Sequence, residues 1–202
     1  MKQNVSFFDV DFSEKEQLPR IFSVTFEAIG VDNREIKVTL SGSRQLGSTI
    51  NDNAYKNDFY RYHDIFHYSF ATLLGWSPCS RAMMMRKRKS KEIIDEIEDG
   101  ARAAITEEAL SMIIFNEAKR KNYFKDTKNI SRTTLRIIKE MTENFEVNVR
   151  SAKDWENAIL KAYDIFRQLI AHQGGKVDFD AIKKTISYSV LPKHNNLRIL
   201  SN

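Results

Sequence analysis

The feature that most constrains the fold is a change in hydrophobic period near residue 58. Between residues 21 and 40, apolar side chains alternate with polar ones: Phe22, Val24, Phe26, Ile36, Val38 and Leu40. Alternation with a period of two is typical of strands with one buried face, and the Gly-Val-Asp-Asn sequence at 30–33 suits a turn. We therefore predict a β-hairpin over 21–40, then a loop over 41–57 rich in Ser, Gly, Asn and Asp.

Beyond residue 58 the apolar residues recur at helical spacing. We predict helices over about 58–74, 76–85, 91–121, 131–143 and 152–173, and a short one over Asp178–Tyr188. The fold class that follows is α+β and predominantly α-helical, a helical bundle with an N-terminal β-hairpin packed on it. We expect a single domain over 1–202, with a hairpin appendage and loop (1–50), a helical core (51–190) and a frayed tail (191–202).

Composition restricts the class of protein. The chain has 202 residues, of which 42% are hydrophobic and 29% charged, as in an ordinary globular domain. The single Cys79 excludes an intrachain disulfide and fits a reducing compartment. There is no run of 18 apolar residues and no apolar segment at the N-terminus, so we expect neither a membrane span nor a signal peptide, and a cytoplasmic location.

One predicted helix, 91–121, carries carboxylates on its apolar face. On an ideal helix Glu108 falls in the middle of that face, Glu96 and Glu107 flank it, and Asp99 points away. A buried carboxylate is costly unless a positive charge pairs with it, and a divalent metal would serve a cluster of them. The alternative is that Glu108 pairs with a buried Arg or that the helix is exposed on both sides.

His63 and His67 lie four residues apart in the first predicted helix, with Asp64 between them. Residues at i and i+4 share one helix face, so the two imidazoles can bind one metal. The alternative is that one His is a hydrogen-bonded core residue and the other is solvated. Asp64 adds a hard oxygen ligand of the kind that Mg²⁺ prefers.

Positive charge is concentrated in residues 81–91, around the run Arg86-Lys87-Arg88-Lys89, and the net charge is +5. The run is either a solvated turn or a phosphate clamp beside the metal site. Tyr62 either stacks on a nucleobase or packs in the core, and Asn53 is placed at the mouth of the site. No base is identifiable for Cys79, and the sequence has no P-loop, dinucleotide fingerprint or zinc-binding Cys pair.

Several of these motifs together resemble one bacterial family, the MazG-like nucleotide pyrophosphohydrolases, and in particular their MazG C-terminal domain. The resemblance runs from about Phe8 to about Tyr188 and rests on the segments 51–55, 60–67, 74–78, 86–90, 95–102, 107–108, 150–156 and 174–177. It implies a mostly helical, Mg²⁺-dependent hydrolase similar to the all-α NTP pyrophosphohydrolases, with Mn²⁺ as a possible substitute. Such enzymes release a nucleoside monophosphate and pyrophosphate, and usually assemble as dimers or tetramers.

The chain departs from the signature Glu-Glu-x-x-Glu followed by Glu-x-x-Asp. Ser111 stands at the third Glu position after Glu107-Glu108, and Glu96 to Asp99 precede the double Glu. These departures imply an altered metal shell. The resemblance therefore carries an interpretation of this chain as a nucleoside triphosphate pyrophosphohydrolase without a membrane or nucleic-acid partner.

The predicted site has three groups of residues. The catalytic candidates are Glu108, Glu107, His63 and His67; the metal candidates are Asp64, Glu96, Asp99, Glu107 and Glu108; the substrate-binding candidates are Arg86, Lys87, Arg88, Arg102, Asn53 and Tyr62. Two other functions stay open at this point. One is a non-catalytic nucleotide sensor that uses the same pocket, possibly in phage defence, and the other is a nucleic-acid-binding protein that uses the basic run.

Overall fold

The computed structural model describes residues 7–42 and 44–192. The strands are β1 (Ile21–Ile29), β2 (Glu35–Leu40), β3 (Arg44–Gln45), β4 (Gly174–Asp180) and β5 (Thr185–Ser189). The helices are α1 (Asp64–Leu74), α2 (Pro78–Met84), α3 (Glu92–Ile97), α4 (Ala101–Arg120), α5 (Arg132–Met141) and α6 (Ala152–His172). The predicted α+β class is therefore confirmed. None of the described helices combines the length and the apolar character that crossing a bilayer requires.

The sheet is antiparallel throughout, with strand order β3-β2-β1-β4-β5. The predicted hairpin corresponds to β1 and β2, where Val24 is opposite Leu40. On its other side Val24 is opposite Val177 of β4, so the hairpin is joined to the C-terminal strands in one sheet. The short helix predicted over Asp178–Tyr188 is wrong, because Phe179 and Ile186 pair across β4 and β5 and bury their side chains under the sheet.

The buried face of the sheet packs against α1, and α1 packs against α6. Phe22 stacks on Phe179 with ring centroids 4.7 Å apart, and Phe26 meets Tyr68 of α1 edge to face at 6.4 Å. The first pair joins β1 to β4, and the second holds α1 against the sheet in addition to burying apolar area. Helix α1, which carries His67, is thereby fixed between the sheet and α6.

The long helix predicted over 91–121 is wrong, because the chain breaks at Gly100. A Cβ atom at Gly100 would lie 2.0 Å from the carbonyl oxygen of Glu96, so only glycine fits between the two helices. The break rotates α3 away from the line of α4, and Ile93 and Ile97, predicted on the apolar face, are exposed. Within α4 the buried stripe includes Glu107.

Several predicted helix ends are confirmed. Ser151 caps α6 in a capping box with Asp154, and α6 ends at His172, just before the two glycines at 174 and 175. Helix α1 ends at Gly75, whose φ of 75° is in the left-handed region. Ser77 caps α2 by accepting a hydrogen bond from the backbone N–H of Ser80. Most of the predicted tail, residues 193–202, lies outside the described residues.

Candidate metal centre

Glu107 of α4 is the carboxylate at the base of the candidate site. It is 0% exposed, yet it does not lack partners. The Ser77 hydroxyl donates to its Oε1 at 2.7 Å, and the backbone N–H of Cys79 donates to its Oε2 at 2.9 Å. The third partner is Nδ1 of His67, 2.8 Å from Oε1. The first turn of α2 and helix α1 therefore meet on this side chain, which satisfies a buried charge with hydrogen bonds.

His67 is oriented by Glu107 and is 1% exposed. With Nδ1 donating to Glu107, the other ring nitrogen, Nε2, has no hydrogen-bond partner among the described residues. Nε2 lies 3.3 Å from Oε1 of Glu108, close enough for electrostatic contact but without hydrogen-bond geometry. Burial alone would lower the pKa of His67, but the neighbouring carboxylates, Glu107 foremost, raise it well above its ordinary value.

His63 precedes the first residue of α1 and faces the same space. Its Nδ1 is 2.9 Å from the carbonyl oxygen of Tyr60, and its ring stacks on the Tyr60 ring with centroids 4.3 Å apart. Its Nε2 is 3.4 Å from Oδ1 of Asp64. Burial lowers the pKa of His63, with the charge of Asp64 opposing that shift. The histidine is thus held neutral with Nε2 as its free nitrogen.

Glu108 completes the group from α4. Its side chain is 48% exposed, unlike that of Glu107. Burial raises its pKa in part, but the charge of His67, whose Nε2 is 3.3 Å away, outweighs this and lowers the pKa of Glu108 to about 2. One ligand atom each from His63, His67 and Glu108 lie within 4.8 Å of one another. Two imidazole nitrogens and a carboxylate oxygen at this spacing fit a divalent metal.

His67 and Glu108 line one cleft of about 650 Å³. Its walls are formed by Tyr60, Asp64, His67, Cys79, Ala82, Met83, Ala104, Ile105, Glu108, Ala109 and Met112. The polar groups thus cluster at one end of a wall that is otherwise apolar. Burial, with the charge of Glu108 adding to it, raises the pKa of Tyr60 to about 12, so its phenol is a hydrogen-bond donor at neutral pH. No Lys or Arg lines this cleft within the described ranges.

Cys79 is a site residue that sequence reasoning missed. Its Sγ is 3.7 Å from Oε1 of Glu108, and it also belongs to a second close group with His67 and Glu107. Burial, followed by the charge of Glu107, raises the pKa of Cys79 to about 12, so the thiol stays protonated. The only feature of the sequence that points to Cys79 is Ser77-Pro78, which begins a helix. The backbone N–H of Cys79 in its first turn is thereby directed toward an anion.

Two predicted metal ligands are not brought to this group. Asp99 accepts from Arg88 in a bidentate pair, with Nη2 at 2.7 Å and Nε at 3.1 Å, and both of its oxygens are engaged by that guanidinium. Glu96 is exposed and lines a different groove together with Arg102. The prediction that Glu96 flanks Glu108 assumes one continuous helix, and the chain breaks at Gly100.

None of the residues predicted to clamp a phosphate belongs to the described lining of the cleft. Arg88 is 1% exposed and also donates hydrogen bonds to Glu146 from both terminal nitrogens at 2.8 Å. It therefore stabilises the interior and does not contact a ligand in the cleft. Arg86 donates to the carbonyl oxygen of Glu14 at 2.9 Å. Like them, Lys87 and Arg102 are absent from the described lining of the cleft.

The two remaining substrate-binding predictions also lie elsewhere. Tyr62 is buried and packs edge to face on Phe166, with ring centroids 6.4 Å apart, which is the core-packing alternative. Asn53 lines a separate depression that also includes Tyr55. The site therefore retains His63, Asp64, His67, Glu107 and Glu108 from the predicted set.

Comparison with known proteins gives one match. The family model described as the MazG C-terminal domain matches residues 3–192, nearly the whole chain. This match confirms the resemblance seen in the sequence. No curated protein and no solved structure gives a significant match.

Proposed function

The chain belongs to the MazG C-terminal domain family, and from this premise we propose that it hydrolyses a phosphoanhydride bond of a nucleoside triphosphate with the help of a divalent metal. The products would be a nucleoside monophosphate and pyrophosphate. The observation that carries the proposal is the convergence of His63, His67 and Glu108 within 4.8 Å, with His67 and Glu108 lining a cleft. Membership of the family suggests a nucleotide as the substrate. The three candidate ligands suggest that a bound metal would assist the hydrolysis.

The cleft suits a nucleotide in size and polarity. Its volume of about 650 Å³ lies within the range of small-molecule sites, which are mostly apolar with a few placed polar groups. The apolar wall, with Met83, Ile105 and Met112, would contact the base and sugar. Its polar end would receive the phosphates, where the phenol of Tyr60 can donate a hydrogen bond to a phosphate oxygen.

The charge of the cleft makes the metal necessary for this function. A triphosphate brings several negative charges beside Asp64 and Glu108, and no Lys or Arg side chain lines the described cleft to balance them. A metal bound there would neutralise the phosphates, polarise the bond to be cleaved and lower the pKa of a water molecule. We therefore expect nucleotide binding itself to depend on the metal.

Each residue of the centre then has a distinct role. His63, His67 and Glu108 would hold the metal, and Glu107 is a positioning residue that fixes the ring of His67. Asp64 lines the cleft but lies outside the close group of three. Its carboxylate is therefore free to accept the proton of the attacking water.

The proposal is tested by a turnover assay with a matched pair of variants. The standard ribo- and deoxyribonucleoside triphosphates are incubated with the full chain and Mg²⁺, Mn²⁺, Co²⁺ or Zn²⁺, and products are separated by chromatography. Glu108→Gln removes a proposed ligand, whereas Glu96→Gln makes the same change at an exposed carboxylate outside the cleft. We expect Glu108→Gln to lose at least 100-fold in turnover and Glu96→Gln to keep it. Tight nucleotide binding with no product from the unaltered chain would instead indicate the sensor.

A further inference from the structure

We propose that the centre formed by His63, His67 and Glu108 selects a first-row transition metal of the Zn²⁺ and Co²⁺ class over Mg²⁺. The inference deepens the proposed function, because it names the class of cofactor that the same site would take. It replaces the Mg²⁺ suggested by the sequence. Mg²⁺ requires nearly octahedral oxygen ligands and is held mainly by carboxylates and water, whereas imidazole suits zinc and its neighbours.

Both imidazoles are prepared as metal ligands by a neighbouring acceptor. Nδ1 of His63 is 2.9 Å from the carbonyl oxygen of Tyr60, and Nδ1 of His67 is 2.8 Å from a carboxylate oxygen of Glu107. An acceptor at Nδ1 fixes a proton on that nitrogen and makes Nε2 the atom that would bind a metal, which displaces any proton held there. Metal-binding histidines are oriented in this way by a carbonyl or a carboxylate, and here both are.

The unpartnered nitrogen of His67 is independent evidence for a ligand. Its Nε2 is buried and makes no hydrogen bond with any described residue. A buried polar atom without a partner is destabilising, and ligand atoms of His63 and Glu108 lie within 4.8 Å of a nitrogen of this ring. A metal ion that accepts the Nε2 lone pair removes that cost.

The spacing of the donor atoms fits a small tetrahedral ion. Two ligand atoms at about 2.0–2.1 Å from a tetrahedral metal lie about 3.3–3.4 Å apart. Nε2 of His67 and Oε1 of Glu108 are separated by 3.3 Å. His67 and Glu108 are therefore already at the spacing of two ligands of such an ion, and His63 lies within 4.8 Å of them.

The centre is also poor in free oxygen atoms. Glu107 is close, but its Oε1 accepts from Ser77 and His67 and its Oε2 accepts from the backbone of Cys79. It cannot turn toward a metal without leaving these donors unpaired. In the described lining of the cleft, only the carboxylates of Asp64 and Glu108 are left to supply oxygen ligands, so the centre offers imidazole nitrogens where Mg²⁺ prefers oxygen.

Metal binding by the full chain tests the inference without reference to turnover. The chelator-treated protein is titrated with Zn²⁺, Co²⁺ and Mg²⁺ by calorimetry, and the Co²⁺ form is followed by its visible absorption. We expect one equivalent of Zn²⁺ or Co²⁺ bound at least 100-fold more tightly than Mg²⁺. His63→Gln and Glu108→Gln should each weaken Zn²⁺ at least tenfold, whereas His172→Gln, an exposed histidine outside the cleft, should not.

Three results would overturn the inference. They are Mg²⁺ affinity equal to that of Zn²⁺, Zn²⁺ affinity unchanged in both His63→Gln and Glu108→Gln, and Zn²⁺ affinity that depends on Cys79 instead of His63. The two partly accessible positions avoid reliance on a His67 variant, whose burial endangers folding. Turnover with Mg²⁺ alone would contradict the inference and leave the proposed hydrolase standing. Histidine-dependent Zn²⁺ binding without turnover would support the inference and contradict the proposed hydrolase.

Discussion

His67 and Glu107 form a fully buried histidine–carboxylate pair, with Nδ1 and Oε1 2.8 Å apart. The pair joins α1 to α4 at the base of the cleft and leaves the opposite ring nitrogen free. Two buried ionisable groups are tolerated only when their hydrogen bonds are satisfied. At this pair every donor and acceptor except Nε2 of His67 is satisfied, so the fold itself points one nitrogen at the cleft.

Glu107→Gln tests whether this orientation matters. The amide keeps the size of the side chain but cannot accept from His67, Ser77 and Cys79 as a carboxylate does. We expect metal affinity to fall about 10–100-fold, the usual effect of losing a partner of a metal-binding histidine. Calorimetry with Zn²⁺ measures this, with the melting temperature recorded to show that the variant is folded. Unchanged affinity in a folded variant would contradict the positioning role.

Arg88→Ala tests whether Arg88 forms an ion pair in the interior or clamps a phosphate. The change leaves Asp99 and Glu146 without their guanidinium partner in the interior, so we expect a loss of about 3–5 kcal/mol in the free energy of unfolding. Urea unfolding gives this quantity. Lys89→Ala, an exposed change in the same run, should stay within about 0.5 kcal/mol. Unaltered stability together with a raised KM for Arg88→Ala would support the clamp.

Glu98 predicts a pH dependence of stability. Burial, and then the charge of Glu146, raise its pKa from the ordinary 4.5 to about 7, while its Oε1 accepts from the backbone of Glu146 at 2.9 Å. Between these pH values the folded chain holds a proton that the unfolded chain releases. The contribution of Glu98 to the free energy of unfolding therefore falls as pH rises from about 4.5 to 7, and stays low above that.

Glu98→Gln should remove this dependence, because the amide oxygen can still accept the backbone hydrogen bond and carries no charge. At pH 8 we expect the variant to be more stable than the unaltered chain by up to roughly 3 kcal/mol, with the difference shrinking toward pH 4.5. Thermal unfolding across this range measures it. A variant that is less stable at pH 8 would show that the charged carboxylate is favourable.

Cys79→Ala distinguishes metal-assisted hydrolysis from covalent catalysis by a thiol. With its pKa raised to about 12, the thiol is almost entirely protonated at neutral pH and is a poor nucleophile. The backbone N–H that binds Glu107 is kept in the variant. We expect turnover within a few-fold of the unaltered chain. A loss of 1000-fold or more, with metal affinity retained, would identify Cys79 as the nucleophile.

The sequence predicted those parts of the fold and site that depend on local spacing. His63 and His67 are four residues apart at the start of α1, and the structure brings both rings to the same space. The hairpin and the cap at Ser151 are equally local. Whether the chain forms dimers or tetramers stays a prediction.

The parts that failed depend on contacts between distant segments. The sequence pattern favours a ligand as the partner of Arg88. Its partners in the structure, Asp99 and Glu146, are 11 and 58 residues away, so no local pattern indicates them. Cys79 and Glu107 meet across 28 residues, which no local pattern reveals. The steric requirement for glycine at position 100 breaks the helix and moves Glu96 off the predicted face. The C-terminal strands were mistaken for a helix because five- and seven-residue segments carry little periodicity.

The most direct test is the turnover of nucleoside triphosphates by the full chain after chelation and after return of the metal. The account predicts that monophosphate and pyrophosphate form only when a divalent metal is present, and that Glu108→Gln fails to recover activity on metal return whereas Glu96→Gln recovers it. Product formation by the chelated protein, or full activity of Glu108→Gln, would contradict the assignment of this centre.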